Sequence, residues 1–290
     1  MNRTPDRTTM IVLRDFATGA RIKRWLGARL SAYLSRTTHV HGTAAPTDPA
    51  KLMACLKPGD VLLVEGQTRV SVAIKYLTQS TWSHAALYAG NSTGLYDSAG
   101  LPRSFLEADI REGVRAVSVA AFEGLHCRVC RPVGLGDAEI DALISFVMAR
   151  LGHRYDLKNV VDLARYLLPT PPVPVRWRRR MLALGSGDPT RAICSTLVAQ
   201  AFQSVRYPIL PIIESLPSSN PRCPGCVDEI LRVRHHSLFV PRDFDVSPYF
   251  AIVKPTLATS FDYRSLAWHE AVEREARAEG VPVTQLPEVI

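Results

Sequence analysis

Nowhere in this chain of 290 residues do about 18 apolar residues run together, so no segment reads as a membrane-spanning helix. An export signal is equally hard to find. The N-terminus, MNRTPDRTTMIVLRDFATG, has one apolar run, Met10 to Leu13, which is too short for a signal-peptide core. The expectation is a protein made and kept in the cytoplasm. No internal repeat occurs. Six cysteines are present, but a chain of this length without an export signal is a poor setting for a disulfide framework. Cys127/Cys130 and Cys223/Cys226 are each spaced C-x-x-C, which raises zinc. The first pair lies in HCRVCRPV, which reads as a strand, and a separation of three there puts the thiols on opposite faces. The second, in PRCPGCVDE, sits in a Pro/Gly loop better shaped for a metal or a disulfide. Unligated thiols are the expectation, and no metal or organic cofactor is called for.

Charge is present but uneven. The net charge is +8. Residues 1–40 hold eight Lys/Arg against two acids, a net +6, and residues 171–191 hold five Arg against Asp188, a net +4, which leaves −2 for the remainder. Neither basic segment interleaves aromatic residues as a nucleic-acid surface would, so nucleic acid is not an expected partner. Anionic lipid suits them better, and a solvated basic face is the plain alternative. Between residues 15 and 35, Ile22, Trp25, Leu26, Leu30, Tyr33 and Leu34 form a helical stripe, with Arg21, Lys23 and Arg24 mostly off it. Such a basic amphipathic helix either touches a membrane surface peripherally or docks on the protein's own core.

The spacing predicts a domain that starts near residue 51, after the linker-like HVHGTAAPTDP at about 40–50. Lys57-Pro58-Gly59-Asp60 is a turn into a strand, VLLVE. A helix follows over 69–79, then a strand SHAALYAG at 83–90. On that strand His84, Ala86 and Tyr88 share one face and Ala85, Leu87 and Ala89 the other. Further strands are predicted at 114–119 and 126–131, and Asp137 caps a helix with Ile140, Leu143, Ile144, Val147 and Leu151 on its apolar face. Residues 159–190 run from VVDLARYLL through PTPPVPV and RWRRR to GSGDP, an insertion read as a lid or specificity loop. A Pro-rich stretch leads from Phe202 to Cys226, then a helix near 227–234, a strand at 249–254 and an acidic helix at 264–279.

The chemistry-bearing segment is RAICSTLVAQAF at 191–202. Leu197, Val198, Ala201 and Phe202 recur at one-face helical spacing, which places Cys194 in the first turn of a helix. A thiol there, or beside a histidine, has its pKa lowered, whereas a buried Cys elsewhere is an inert filler. A thiolate nucleophile needs a base and a group that orients the base. His84 is the strongest base candidate, because it opens an otherwise apolar strand where an unpaired imidazole is costly to bury. His126, His153, His235 and His236 have charged or loop-like contexts.

WSHAALYAG, followed 110 residues after the His by ICSTLVAQAF, resembles the circularly permuted papain-like cysteine hydrolases, relatives of the NlpC/P60 peptidases and of the YiiX/YaeF type. The His strand preceding the Cys helix is the permuted order, shared with lecithin:retinol acyltransferase-like proteins. KPGDVLLVEG, FLEADIREGV, GHRYD and FVPRDFDVSPYFAIV resemble further elements of the pattern, so the likeness runs from about 57 to 255. It implies an α+β fold in which a central antiparallel sheet packs against helices that include the nucleophile helix. The implied domains are a basic helix and linker over 1–50, a catalytic domain over 51–256 with the 159–190 insertion, and a helical extension over 257–290. Cys194 is then the nucleophile, His84 the base and Glu107 the orienting acid, with Asp97 and Asp109 as alternatives to Glu107. Tyr155 and Ser195 are implied in substrate or oxyanion contacts, beside the Cys194 backbone N–H. Many relatives read Cys-Ser-Glu-Leu-Val where this chain has Thr196 in place of the acid. The implied reaction is hydrolysis or acyl transfer at an amide or ester. The substrate is a peptide or cell-wall-type amide by one set of relatives and a lipid acyl group by the other. A non-catalytic binding module of the same fold at a membrane surface is the alternative.

Overall fold

The structure of the protein is a computed structural model that describes residues 36–37, 44–109, 112–153, 193–217, 227–258, 262 and 264. The basic helix expected at 15–35, Tyr155, the 159–190 insertion, Cys223, Cys226 and nearly all of the acidic helix at 264–279 lie outside these residues.

Short apolar runs bounded by turns build one central sheet. Its strands are β1 (Val61–Glu65), β2 (His84–Tyr88), β3 (Phe105–Asp109), β4 (Gly113–Val117), β5 (His126–Pro132) and a last strand, Phe250–Val253, here β8. The spatial order is β4-β3-β2-β1-β5-β8, and every pairing is antiparallel. Alternation along each strand divides the interior in two. Val61, Leu63, Ala85, Leu87, Leu106, Ala108 and Cys130 face a large cluster completed by helices. Leu62, Val64, Ala86, Tyr88, Phe105, Cys127 and Val129 face a smaller one, which α1 (Pro49–Cys55) covers with Leu52. Cys127 and Cys130 therefore do lie on opposite faces, as their spacing on a strand requires.

The larger cluster is closed by α3 (Asp137–Met148) and α4 (Ile193–Ser204). Gly136, not Asp137, is the N-cap of α3, and the Glu139 carboxylate accepts its backbone N–H at 2.7 Å. Leu143, Ile144 and Val147 are buried as the stripe predicts, with Ile140 and Leu151 packed beside them. In α4 the burial exceeds one face: Cys194, Ser195, Leu197, Val198, Ala199, Ala201 and Phe202 are all buried. The helix is wedged between the sheet and α3, which is why its start is held in place. The helix α2 (Arg69–Thr78) links β1 to β2 and is capped by Thr68. Among the described residues, no helix is long and apolar enough to cross a membrane.

Two local expectations change. Residues 227–234 read as a helix, but Val227–Arg232 is a strand, β7, paired with β6 (Ile212–Pro217) inside the Pro-rich stretch. The run VDEILR is too short to display a period, and cross-strand pairing decides its conformation. The stretch at 40–50 read as a linker, yet Thr47 is bound to β5: its N–H donates to the Leu125 carbonyl, and its hydroxyl accepts the Cys127 N–H.

Asp60 anchors the entry to β1. Its carboxylate accepts the Lys57 N–H at 2.8 Å and the Arg131 guanidinium at 2.8 and 2.7 Å, while Arg131 also donates to the Cys55 carbonyl. The Asp60 side chain is 1% exposed. Asp60→Ala strands the Arg131 charge and frees the turn, so it is expected to destabilise by about 3 kcal/mol. A lower urea midpoint at unchanged slope is the readout, and an unchanged midpoint refutes the anchor.

Candidate functional site

The site assembles at one end of the sheet, where β2 begins. His84 is its first residue and pairs with Val64 of β1. On the other edge, pairing with β3 starts only at Ala86↔Glu107. The Ala85 backbone N–H therefore has no strand partner in register, and it donates instead to the sulfur of Cys194. The thiol stands where the β2–β3 ladder opens, delivered there by the first turn of α4.

The register also settles sides. Val64 and Ala86 belong to the smaller cluster, so His84 shares their face, whereas α4 packs on the opposite one. Thiol and ring meet around the end of the strand, not over its surface. That placement leaves the His84 side chain 26% exposed, at the edge of solvent, while the Glu107 behind it is 4% exposed.

His84 Nε2 and Glu107 Oε2 are 2.7 Å apart. Cys194 is the imidazole's other side-chain partner, which leaves Nδ1 for the sulfur. Burial disfavours the thiolate, but the His84 charge and hydrogen bond, with the N–H groups of Ala85 and Ser195, outweigh it and hold the Cys194 thiol below its ordinary 9.0. Burial likewise disfavours the imidazolium, yet Cys194 and Glu107 raise the His84 pKa well above 6.5. For Glu107 burial is overcome by His84 and then by Arg115, which bring the carboxyl from 4.5 to about 2. Each shift runs towards the charged form: thiolate at Cys194, imidazolium at His84 and carboxylate at Glu107. The other free thiols among the described residues behave oppositely. Burial pushes Cys127 up to about 12 and also raises Cys130 and Cys55. Only a thiolate is strongly nucleophilic, so of these four thiols the arrangement activates Cys194.

The other acids are placed elsewhere. The Asp97 carboxylate accepts the Ala99 and Leu101 N–H groups within its own loop, and Asp109 reaches Arg115 at 3.7 Å. Of the three, Glu107 is the one hydrogen-bonded to His84. The Ser195 hydroxyl donates to the Phe239 carbonyl at 2.7 Å and is fully buried, which ties down the helix start, while its backbone N–H faces the sulfur.

Residues missed in the sequence surround this core. Arg115 holds the second oxygen of Glu107, with Nε at 2.8 Å from Oε1. Its signal was available: a hairpin folded from FLEADIREGVRAV places Glu107 opposite Arg115. At the same sheet end a groove of about 480 Å³ is lined by Ser80, Trp82, His126, Arg128, Arg242 and Asp245. The Trp82 indole N–H donates to Asp245 at 3.1 Å, and the Arg128 guanidinium lies 4.9 Å from the centre of the indole ring and 2.8 Å from Asp245. No sequence pattern announces it, since these residues come from three separated segments. Among the described residues no group of three or more His, Cys, Asp and Glu side chains is arranged to hold a metal ion.

Fold and site together define a mixed α/β protein with a thiol, an imidazole and a carboxylate aligned at the edge of an antiparallel sheet. No family model matches the chain, and no curated protein matches it. A solved structure similar to it is the crystal structure of the metalloprotein yiiX from Escherichia coli O157:H7, also described as DUF1105. The identity is 16%, the match covers 68% of this chain and 96% of that one, and the TM-score is 0.38. The functional reading rests on the site itself.

Proposed function

We propose that the protein is a cysteine hydrolase or acyltransferase of circularly permuted papain-like fold, acting on an amide or ester through Cys194, His84 and Glu107. The observation that carries this reading is the line from thiol to imidazole to buried carboxylate, supplied by three separate elements and accompanied by a lowered thiol pKa. The Cys194 thiolate attacks the carbonyl carbon. The imidazolium then protonates the leaving amine or alcohol, and an acyl-enzyme remains. Water or a second acceptor, deprotonated by the neutral imidazole, attacks the thioester and releases the thiol. Glu107 accepts the other ring N–H and stabilises the imidazolium. The Ala85 and Ser195 N–H groups already directed at the sulfur stabilise its charge at a helix start.

Two donor classes suit the chain. The groove beside the site carries Ser80, His126, Arg128 and Asp245, which suits a peptide or other polar amide. The basic amphipathic pattern at 15–35 and the apolar stretch in 159–190 suit a lipid ester near a membrane surface. Incubation with peptide and with lipid acyl donors, read by intact mass, separates them. An acyl adduct is expected on the wild type and not on Cys194→Ala, and the donor that leaves it names the class. A wild-type thiol that titrates in the ordinary range and takes no adduct from either class supports a binding module instead.

A further inference from the structure

Glu107 has two carboxylate oxygens, and His84 uses one. The other, Oε1, is taken by Arg115 through Nε at 2.8 Å and Nη2 at 2.7 Å. The two residues are register partners across the β3–β4 ladder, so their side chains rise from the same face of the sheet. Arg115 is itself held: Nη1 meets Glu112 at 3.0 Å, and Nη2 lies 3.7 Å from Asp109. The chain thus runs Cys194, His84, Glu107, Arg115, with the guanidinium at the end farthest from the thiol.

We infer that Arg115 is a positioning residue for this site: by holding Oε1 it fixes the plane of the Glu107 carboxylate, and through it the imidazole that faces Cys194. The inference rests on the reading of Cys194 as the nucleophile and adds a residue that does not touch the thiol. The last torsion of a glutamate is broad, so a carboxylate held at one oxygen turns and takes its partner ring with it. Two N–H groups of one rigid plane remove that freedom, which a lysine ammonium, a point charge on a flexible stem, does not. Arg115 also balances the buried carboxylate. The groups that face the pair are Glu107 and Asp109 from β3, Glu112 from the following turn, and His84 and Cys194 beyond.

Charge and fork are separable. The pH dependence of alkylation by iodoacetamide, read at Cys194 by peptide-resolved mass spectrometry, is compared for wild type, Arg115→Ala and Arg115→Lys. The wild type is expected to react below the ordinary thiol range. Arg115→Ala moves the onset to higher pH, because the cation that holds the Glu107 carboxyl down is gone, and Glu107 in turn supports the imidazolium that lowers the thiol pKa; it also lowers the plateau rate on the order of tenfold. Arg115→Lys returns the onset towards the wild type without restoring the plateau. A wild-type profile in Arg115→Ala, or full restoration by Arg115→Lys, overturns the positioning role. Should Arg115→Ala not fold, the plateau rate of Arg115→Lys decides by itself. A wild-type Cys194 that reacts only in the ordinary thiol range sinks the nucleophile reading instead, whatever Arg115 does.

Discussion

His84→Ala is expected to remove the low-pH reactivity of Cys194 and to lower turnover on the order of 10⁴-fold or more, as the loss of a base from a nucleophile pair does. The reason is the balance at the sulfur. Burial raises the Cys194 pKa, and the His84 charge and hydrogen bond oppose that rise most strongly. Without the imidazole, the Ala85 and Ser195 N–H groups remain, and the thiol is expected to titrate above its ordinary 9.0 like its buried neighbours. Alkylation of Cys194 across pH measures this directly. A variant whose reactive fraction rises over the same pH range as the wild type would mean that the ring has no hold on the thiol.

Glu107→Gln carries the second large effect. The carboxylate holds His84 through Nε2 at 2.7 Å, and a neutral amide keeps the shape while losing the charge that stabilises imidazolium. Where such an acid is made an amide, turnover falls about 10⁴-fold. Stability changes too, with a sign that can be worked out. The Glu107 pKa is depressed from 4.5 to about 2, so its contribution is present above 4.5 and is lost as pH falls through 2. His84 is raised above 6.5, so its contribution is full below 6.5 and is lost as pH climbs through the higher folded value. Urea midpoints followed across pH should lose the acid-side fall in Glu107→Gln. An identical acid limb in wild type and variant would show that Glu107 is not the group titrating.

How much was legible before folding differs from one residue to the next. The strand at 83–90, the helix at 69–79 and the helix carrying Cys194 were written in period and capping, because each is a local run with one dominant face. His84 stood out because a polar ring opened an apolar strand. Glu107 was one of three acids, and nothing local separates it from Asp97 or Asp109. The register Ala86↔Glu107 separates them, by setting the carboxylate beside the ring that starts β2. Within VRAVSV alone, Arg115 reads as the solvent side of an edge strand. Its role depends on lying opposite Glu107. The helix expected near 227–234 failed for a related reason: six residues of mixed polarity take the conformation of whatever they pair with, and here that is β6.

The sequence by itself determined the alternation that builds the sheet, the helix start under Cys194 and the order in which histidine precedes cysteine, since these depend on neighbours within a few residues. The tertiary structure decided which thiol is activated, which acid serves the imidazole and on which side of the sheet the ring lies. Those are matters of register and of unequal burial between segments that lie about twenty to more than a hundred residues apart along the chain. The Cys194 pKa falls although its burial opposes it, because β2 releases β3 two residues early and leaves the Ala85 N–H and the His84 ring at the sulfur.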